Sequence, residues 1–210
     1  MTSIRLQILK VLRPISEWIA KVHAPWSRKQ ISGQHFYQAL SYLEPGSIMV
    51  SYTRGELASL FIPGKWKHAA IYCSKYMGND KEYDYVIEAK TSGVTTTDLL
   101  SFMVGKDAVA IIEPIFCDNT KMIEAAAIAH RFIGLPYDFF FDPGDEAFYC
   151  SELIARSYEM AIGKPIFEKR ERLGVNTILP DDYAQAVKKW RIVWDSTDPK
   201  AGVNISRQNS

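Results

Sequence analysis

The sequence predicts an α+β fold with a mostly antiparallel sheet. Short apolar runs rich in β-branched and aromatic residues fall at 47–52, 68–73, 83–89, 108–116 and 190–194, separated by Pro, Gly and Asp clusters. Helical patterns bracket these runs without the repeated strand–helix alternation that a parallel sheet requires. At 210 residues, with 47% hydrophobic and 23% charged residues, the chain suits one domain with a sizeable core.

Residues 2–24 carry Ile4, Ile8, Leu12, Ile15, Ile19 and Val22 at helical spacing, with a break or kink at Pro14. No acid precedes Glu17, and Arg5, Lys10, Arg13 and Lys21 lie among the apolar positions. Two readings stand for this segment: a helix packed on the domain or on a second copy, or a basic amphipathic helix lying on an anionic membrane surface. From Gln34 to Leu43 a second helical pattern ends at the turn Glu44-Pro45-Gly46. Ser47–Tyr52 reads as a strand, Gly55–Phe61 as a short helix closed by Ile62-Pro63-Gly64, and His68–Cys73 and Tyr83–Ala89 as strands. Ser92-Gly93 turns into another extended segment, Asp98–Val104 forms one or two helical turns, and Ala108–Phe116 is a strand with Pro114 at its edge or end. A helix over Asn119–Ile133 is expected to stop at Gly134 as its capping glycine. A further helix opens near Cys150, a short one runs from Leu179 to Lys188, and a last strand covers Trp190–Trp194. The expected organisation is an amphipathic segment over 1–30, a domain over 31–195, and a polar, loose tail over 196–210.

Several function classes are disfavoured. The formal charge of +1 gives no electrostatic case for nucleic acid, and basic residues do not cluster with aromatic ones. Cysteines at 73, 117 and 150 form no paired spacing, so neither a disulfide framework nor a metal site is expected, and no cofactor. With no Gly-rich phosphate loop, no uninterrupted signal-type apolar stretch and no run of 18 apolar residues, a cytoplasmic protein is expected, with peripheral membrane contact through residues 1–30 left open.

Chemistry concentrates in three residues. Cys150 falls at a helix start, where free backbone N–H groups and the helix dipole stabilise a thiolate, and Leu153, Ile154, Ser157, Tyr158 and Ala161 form the face that buries this helix. His68 begins a strand, and strand parity puts it with Ala70 and Tyr72, opposite Ala69, Ile71 and Cys73, so Cys73 is not its partner. Glu88 closes an apolar strand, where a carboxylate needs a cationic or hydrogen-bonding partner. An imidazole held by Glu88 keeps one nitrogen free to take the thiol proton. His130, amid alanines in a helix, reads as a packing residue, and Cys117 as a strand-end thiol with no basic group close in sequence.

The order GSIMVSYT, WKHAAIY, VIEA followed by GV, GLPYD and FYCSELIARSY resembles the permuted papain-like amidases, relatives of the NlpC-type cell-wall peptidases and, more distantly, of the lecithin:retinol acyltransferase group. The resemblance covers roughly residues 45–185, with His68 upstream of Gly134, Pro136, Tyr137 and Cys150 as in the permuted branch. It implies a papain-like sheet packed on the helix that bears the nucleophile. It also implies Cys150 as nucleophile, His68 as general base and Glu88 as the residue that orients the histidine. Tyr137, Ser151 and Trp66 are the expected oxyanion or substrate-binding residues. Glu152-Leu153 departs from the Gly-Leu usual in the unpermuted enzymes and would change the cleft wall.

The expected activity is hydrolysis of an amide, whether peptide, isopeptide or N-acyl, through a thiol acyl-enzyme. Two alternatives stand beside it: acyl transfer or lipid-amide hydrolysis at a membrane surface, and a non-catalytic module binding a peptide or amino acid. The expected partner is a peptide or N-acylated small molecule, with a homodimer left open.

Overall fold

The computed structural model describes residues 30–54, 62–73, 76–78, 81–139, 144–167, 170–172 and 175–198. The segment 2–24, the helix expected over Gly55–Phe61 and most of the polar tail lie outside the described residues. Helix α1 (Gly33–Leu40) leads to β1 (Ile48–Tyr52), β2 (His68–Tyr72), β3 (Tyr76–Gly78), β4 (Lys81–Tyr83), β5 (Tyr85–Lys90) and β6 (Gly93–Asp98). Then come α2 (Leu99–Val104), β7 (Ala108–Pro114), α3 (Asn119–Arg131) and α4 (Cys150–Ile162). The chain continues through β8 (Arg170–Arg172), β9 (Val175–Thr177), α5 (Pro180–Gln185) and β10 (Trp190–Asp195).

The main sheet has six strands in the order β10-β7-β1-β2-β5-β6, and every neighbouring pair is antiparallel. This is the expected α+β architecture. Its two faces follow from strand alternation. Ile48, Val50, Ala69, Ile71, Ile87 and Ala110 point to one core, shared with Met122, Ala125 and Ala129 of α3 and Leu153, Ile154, Tyr158 and Ala161 of α4. Met49, Ala70, Val86, Val109 and Ile111 point to the other, against Ala39 of α1 and Leu99, Phe102 and Met103 of α2. A bulge between Ile192 and Trp194 changes the alternation along β10, so Trp190 joins the first core while Val193 and Trp194 join the second.

Several boundaries differ from expectation. Phe132 caps α3 through its N–H to the carbonyls of Ala129 and His130. Gly134 lies two residues beyond, at φ +93°, and its N–H donates to the Val94 carbonyl at 2.9 Å. That glycine therefore turns the chain onto β6 rather than closing the helix. His130 is exposed, because it falls outside the buried face of α3 formed by Met122, Ala125, Ala126, Ile128 and Ala129. Strand β7 stops at Pro114, so Cys117 sits in the bend after it. Helix α5 stops at Gln185, where the chain tightens so that Trp190 N–H donates to the Ala186 carbonyl at 2.9 Å and β10 begins. The two small hairpins β3–β4 and β8–β9 were not expected; their strands are three residues long, too short to show alternation.

Candidate active site

One end of the main sheet gathers the start of β2, the end of β5 and the start of β6, since antiparallel pairing sets Ala70 opposite Glu88 and Lys90 opposite Gly93. Two loops are tied down there. Asp181 at the start of α5 accepts from the N–H groups of Lys65 at 3.1 Å and Trp66 at 2.6 Å, fixing the approach to His68. Gly64 makes this possible. It holds φ +94°, and a Cβ on it would stand 2.2 Å from the Asp181 carboxylate. On the other side, Val94 N–H donates to the Leu135 carbonyl at 2.8 Å, anchoring the Gly-Leu-Pro-Tyr segment at the same end.

His68 faces Ser51 across β1 and β2, and its ring centroid is 6.2 Å from that of Phe102. Its Nε2 lies 2.6 Å from Glu88 Oε2. The two residues sit diagonally on one face of neighbouring strands, the geometry in which long side chains meet. Glu88 is 3% exposed, so its charge needs the partners it has. Its other oxygen, Oε1, lies 2.6 Å from Lys90 Nζ and accepts a hydrogen bond from Thr97 Oγ1 at 2.5 Å.

Helix α4 begins at Cys150, with Tyr149 at the cap and Gly163 closing the far end at φ +77°. The face expected to bury this helix does so, with Leu153, Ile154, Ser157, Tyr158 and Ala161 all enclosed. Tyr158 anchors it by donating to the Gly46 carbonyl at 2.7 Å. This seats Cys150, 5% exposed, within hydrogen-bonding reach of His68. With Nε2 on Glu88, Nδ1 is the remaining ring nitrogen.

The electrostatics follow from that row. Burial alone would push the Cys150 thiol up, but the hydrogen bond and positive charge of His68 outweigh it, helped by the Ala69 N–H and Ser151, so the thiol falls below its ordinary value. Burial alone would push His68 down, yet its hydrogen bonds to Cys150 and Glu88 and their charges raise it to about 9. Burial also opposes ionisation of Glu88, and His68 and Lys90 overcome it, holding the carboxyl far below its usual range. The two shifts are complementary: each group favours the charged form of the other. The other thiols are different: burial pushes Cys73 up to about 12, and burial and then Asp118 raise Cys117.

Tyr137 is half-buried near the sulfur, and burial followed by the Cys150 charge keeps its phenol well above the ordinary value, hence protonated. Ser151 is fully buried with Oγ 3.9 Å from Cys150 Sγ, and its carbonyl accepts from Tyr183 at 2.7 Å. Trp66 is 3% exposed and belongs to the core against α4, with the Lys65 ammonium 4.2 Å from its ring. Lys90, Thr97 and Asp181 were not singled out from sequence. Lys90 carried a signal, standing two residues after Glu88 and so on the same strand face, whereas Thr97 and Asp181 become neighbours only through the fold. Among the described residues, no three His, Cys, Asp or Glu side chains are grouped to hold a metal ion.

Against known proteins, the family model described as "Permuted papain-like amidase enzyme, YaeF/YiiX, C92 family" matches residues 42–200. The chain belongs to this family. The permuted papain-like fold and a hydrolase of the amidase and cysteine-peptidase kind are thereby established at the family level. A solved structure titled "Crystal structure of metalloprotein yiiX from Escherichia coli O157:H7, DUF1105" aligns at 21% identity and a TM-score of 0.49. The alignment covers 78% of this chain and 93% of that one. No curated protein matches. Among the described residues of this permuted papain-like amidase, no helix is long and apolar enough to cross a membrane.

Proposed function

We propose that this protein is a cysteine hydrolase that cleaves an amide bond, in a peptide, an isopeptide or an N-acyl compound, through a thiol acyl-enzyme on Cys150. The single observation that carries the reading is the imidazole of His68 set between the Glu88 carboxylate, at 2.6 Å, and the Cys150 sulfur. Thiolate sulfur attacks the carbonyl carbon, and the electron pair of the C=O bond moves to oxygen. Backbone N–H groups in the first turn of α4 and the Tyr137 hydroxyl stabilise that developing charge. As the C–N bond breaks, the His68 imidazolium gives its proton to the departing amine. A water molecule then attacks the thioester, passes a proton to His68, and the C–S bond breaks to return the thiolate and release the acid. Glu88 stays ionised throughout and holds the ring orientation.

The test is acid quenching of the enzyme during turnover of a panel of peptide amides and N-acyl amino acids, followed by peptide mass mapping. The acyl group is expected on the Cys150 peptide of the native protein and on no peptide of Cys150→Ala. Turnover that survives Cys150→Ala would overturn the reading.

A further inference from the structure

We propose that Lys90 and Thr97 are positioning residues that act on His68 through Glu88, Thr97 by holding one carboxylate oxygen so that the other stays on the imidazole, and Lys90 by offsetting part of the charge His68 feels. The inference rests on the catalytic reading above. Its geometry is a closed triangle: Lys90 Nζ is 2.6 Å from Glu88 Oε1, Thr97 Oγ1 is 2.5 Å from the same oxygen, and Lys90 Nζ is 2.8 Å from Thr97 Oγ1. The threonine hydroxyl donates to the carboxylate and accepts from the ammonium. With Oε1 engaged twice and Oε2 engaged by His68, the carboxylate cannot rotate without losing bonds.

Lys90 could have extended into water, since its side chain is 42% exposed. An exposed ion pair would contribute little, but here the carboxylate is 3% exposed and the ammonium closes over it. Imidazolium, carboxylate and ammonium then alternate in sign along the row, with the Cys150 sulfur on the far side of the ring. Around His68 stand Glu88 on β5, Ser51 on β1, Cys150 on α4, and Phe102 on α2, whose ring carries the Lys106 ammonium at 5.5 Å, while Lys90 and Thr97 reach it through Glu88. Lys90 is the cation in direct contact with the carboxylate that His68 uses.

The two side chains should move His68 in opposite directions. Without the ammonium, the imidazolium faces an uncompensated carboxylate and keeps its proton to higher pH, by about one pH unit. Without the Thr97 hydroxyl, the carboxylate is free to swing, its bond to the ring weakens, and His68 releases its proton at lower pH. Simple loosening of the site would lower both.

The experiment is NMR titration of ring-labelled histidine in the full chain, with the His68 signal assigned by its loss in His68→Gln. Lys90→Met is expected to titrate above the native protein, Lys90→Arg at the native position, Thr97→Val below it, and Thr97→Ser back at it. If Lys90→Met does not fold, Lys90→Gln gives the same reading. A neutral variant at position 90 that superimposes on the native curve or falls below it would overturn the role of Lys90, and Thr97→Ser no closer to native than Thr97→Val would overturn that of Thr97. Failure of the catalytic reading is distinct: the native His68 would itself titrate at an ordinary value, and Cys150 would react with iodoacetamide no faster than Cys117.

Discussion

His68 and Glu88 meet at 2.6 Å from diagonal positions on adjacent antiparallel strands. The rigid sheet fixes the carboxylate and imidazole, while α4 brings the sulfur up from a separate core.

Substituting Glu88→Gln removes the charge that stabilises imidazolium while keeping a side chain of the same shape. Turnover is expected to fall by about 10²- to 10⁴-fold, with a smaller change in KM. Steady-state kinetics against whichever amide the acyl-trapping panel identifies checks this, and turnover within a factor of about two of native would count against an orienting role.

Thiol labelling should be selective. Cys150 is expected to react with iodoacetamide well before Cys117, and Cys117 before Cys73, which is 8% exposed and held protonated up to about pH 12. Time-resolved peptide mapping of the folded protein gives the order, and equal rates for all three would contradict the assignment.

The pH dependence of stability has a defined sign. His68 is raised from 6.5 to about 9, so its stabilising contribution is complete below pH 6.5 and is lost as the pH rises through about 9. Glu88 is lowered from 4.5, so its contribution is complete above pH 4.5 and is lost as the pH falls through its folded value. In a Cys150→Ser background, which removes the opposing titration of the lowered thiol, the melting-temperature gap between that parent and its His68→Gln variant is accordingly expected to be widest between pH 4.5 and 6.5 and to narrow as the pH rises further. Calorimetry across that range checks it; a gap independent of pH would contradict the buried pair.

Gly64→Ala should weaken the support under His68. The new Cβ would have to displace the Asp181 carboxylate from the N–H groups of Lys65 and Trp66, at a backbone angle that L-residues rarely adopt. A loss of at least about 1 kcal/mol in urea unfolding is expected, with activity falling further than stability alone explains.

Much of this arrangement was legible in the sequence because it depends on local periodicity. The strand alternation that separates His68 from Cys73 needs only a period of two, and the helix start at Cys150 needs only the apolar face behind it. Glu88 was legible as a carboxylate closing an apolar strand. Thr97 was not, since it reaches Glu88 only through the register of β5 and β6, which nothing in either strand fixes alone. Asp181 lies more than a hundred residues from the loop it holds and looks, in sequence, like an ordinary first-turn helix acid. Gly134 was misread for a related reason: its left-handed angle serves a contact with β6, and a glycine just past a helix reads the same way whether it caps the helix or turns the chain.

The ionisation of Cys150 is the most direct test of the proposed chemistry, and the ultraviolet absorbance of thiolate measures it as the difference between native protein and Cys150→Ser through a pH titration. A thiolate signal already present at neutral pH, and abolished there by His68→Gln, is the predicted result. A signal that emerges only as the pH reaches the ordinary range of a free thiol, unchanged by His68→Gln, would contradict it.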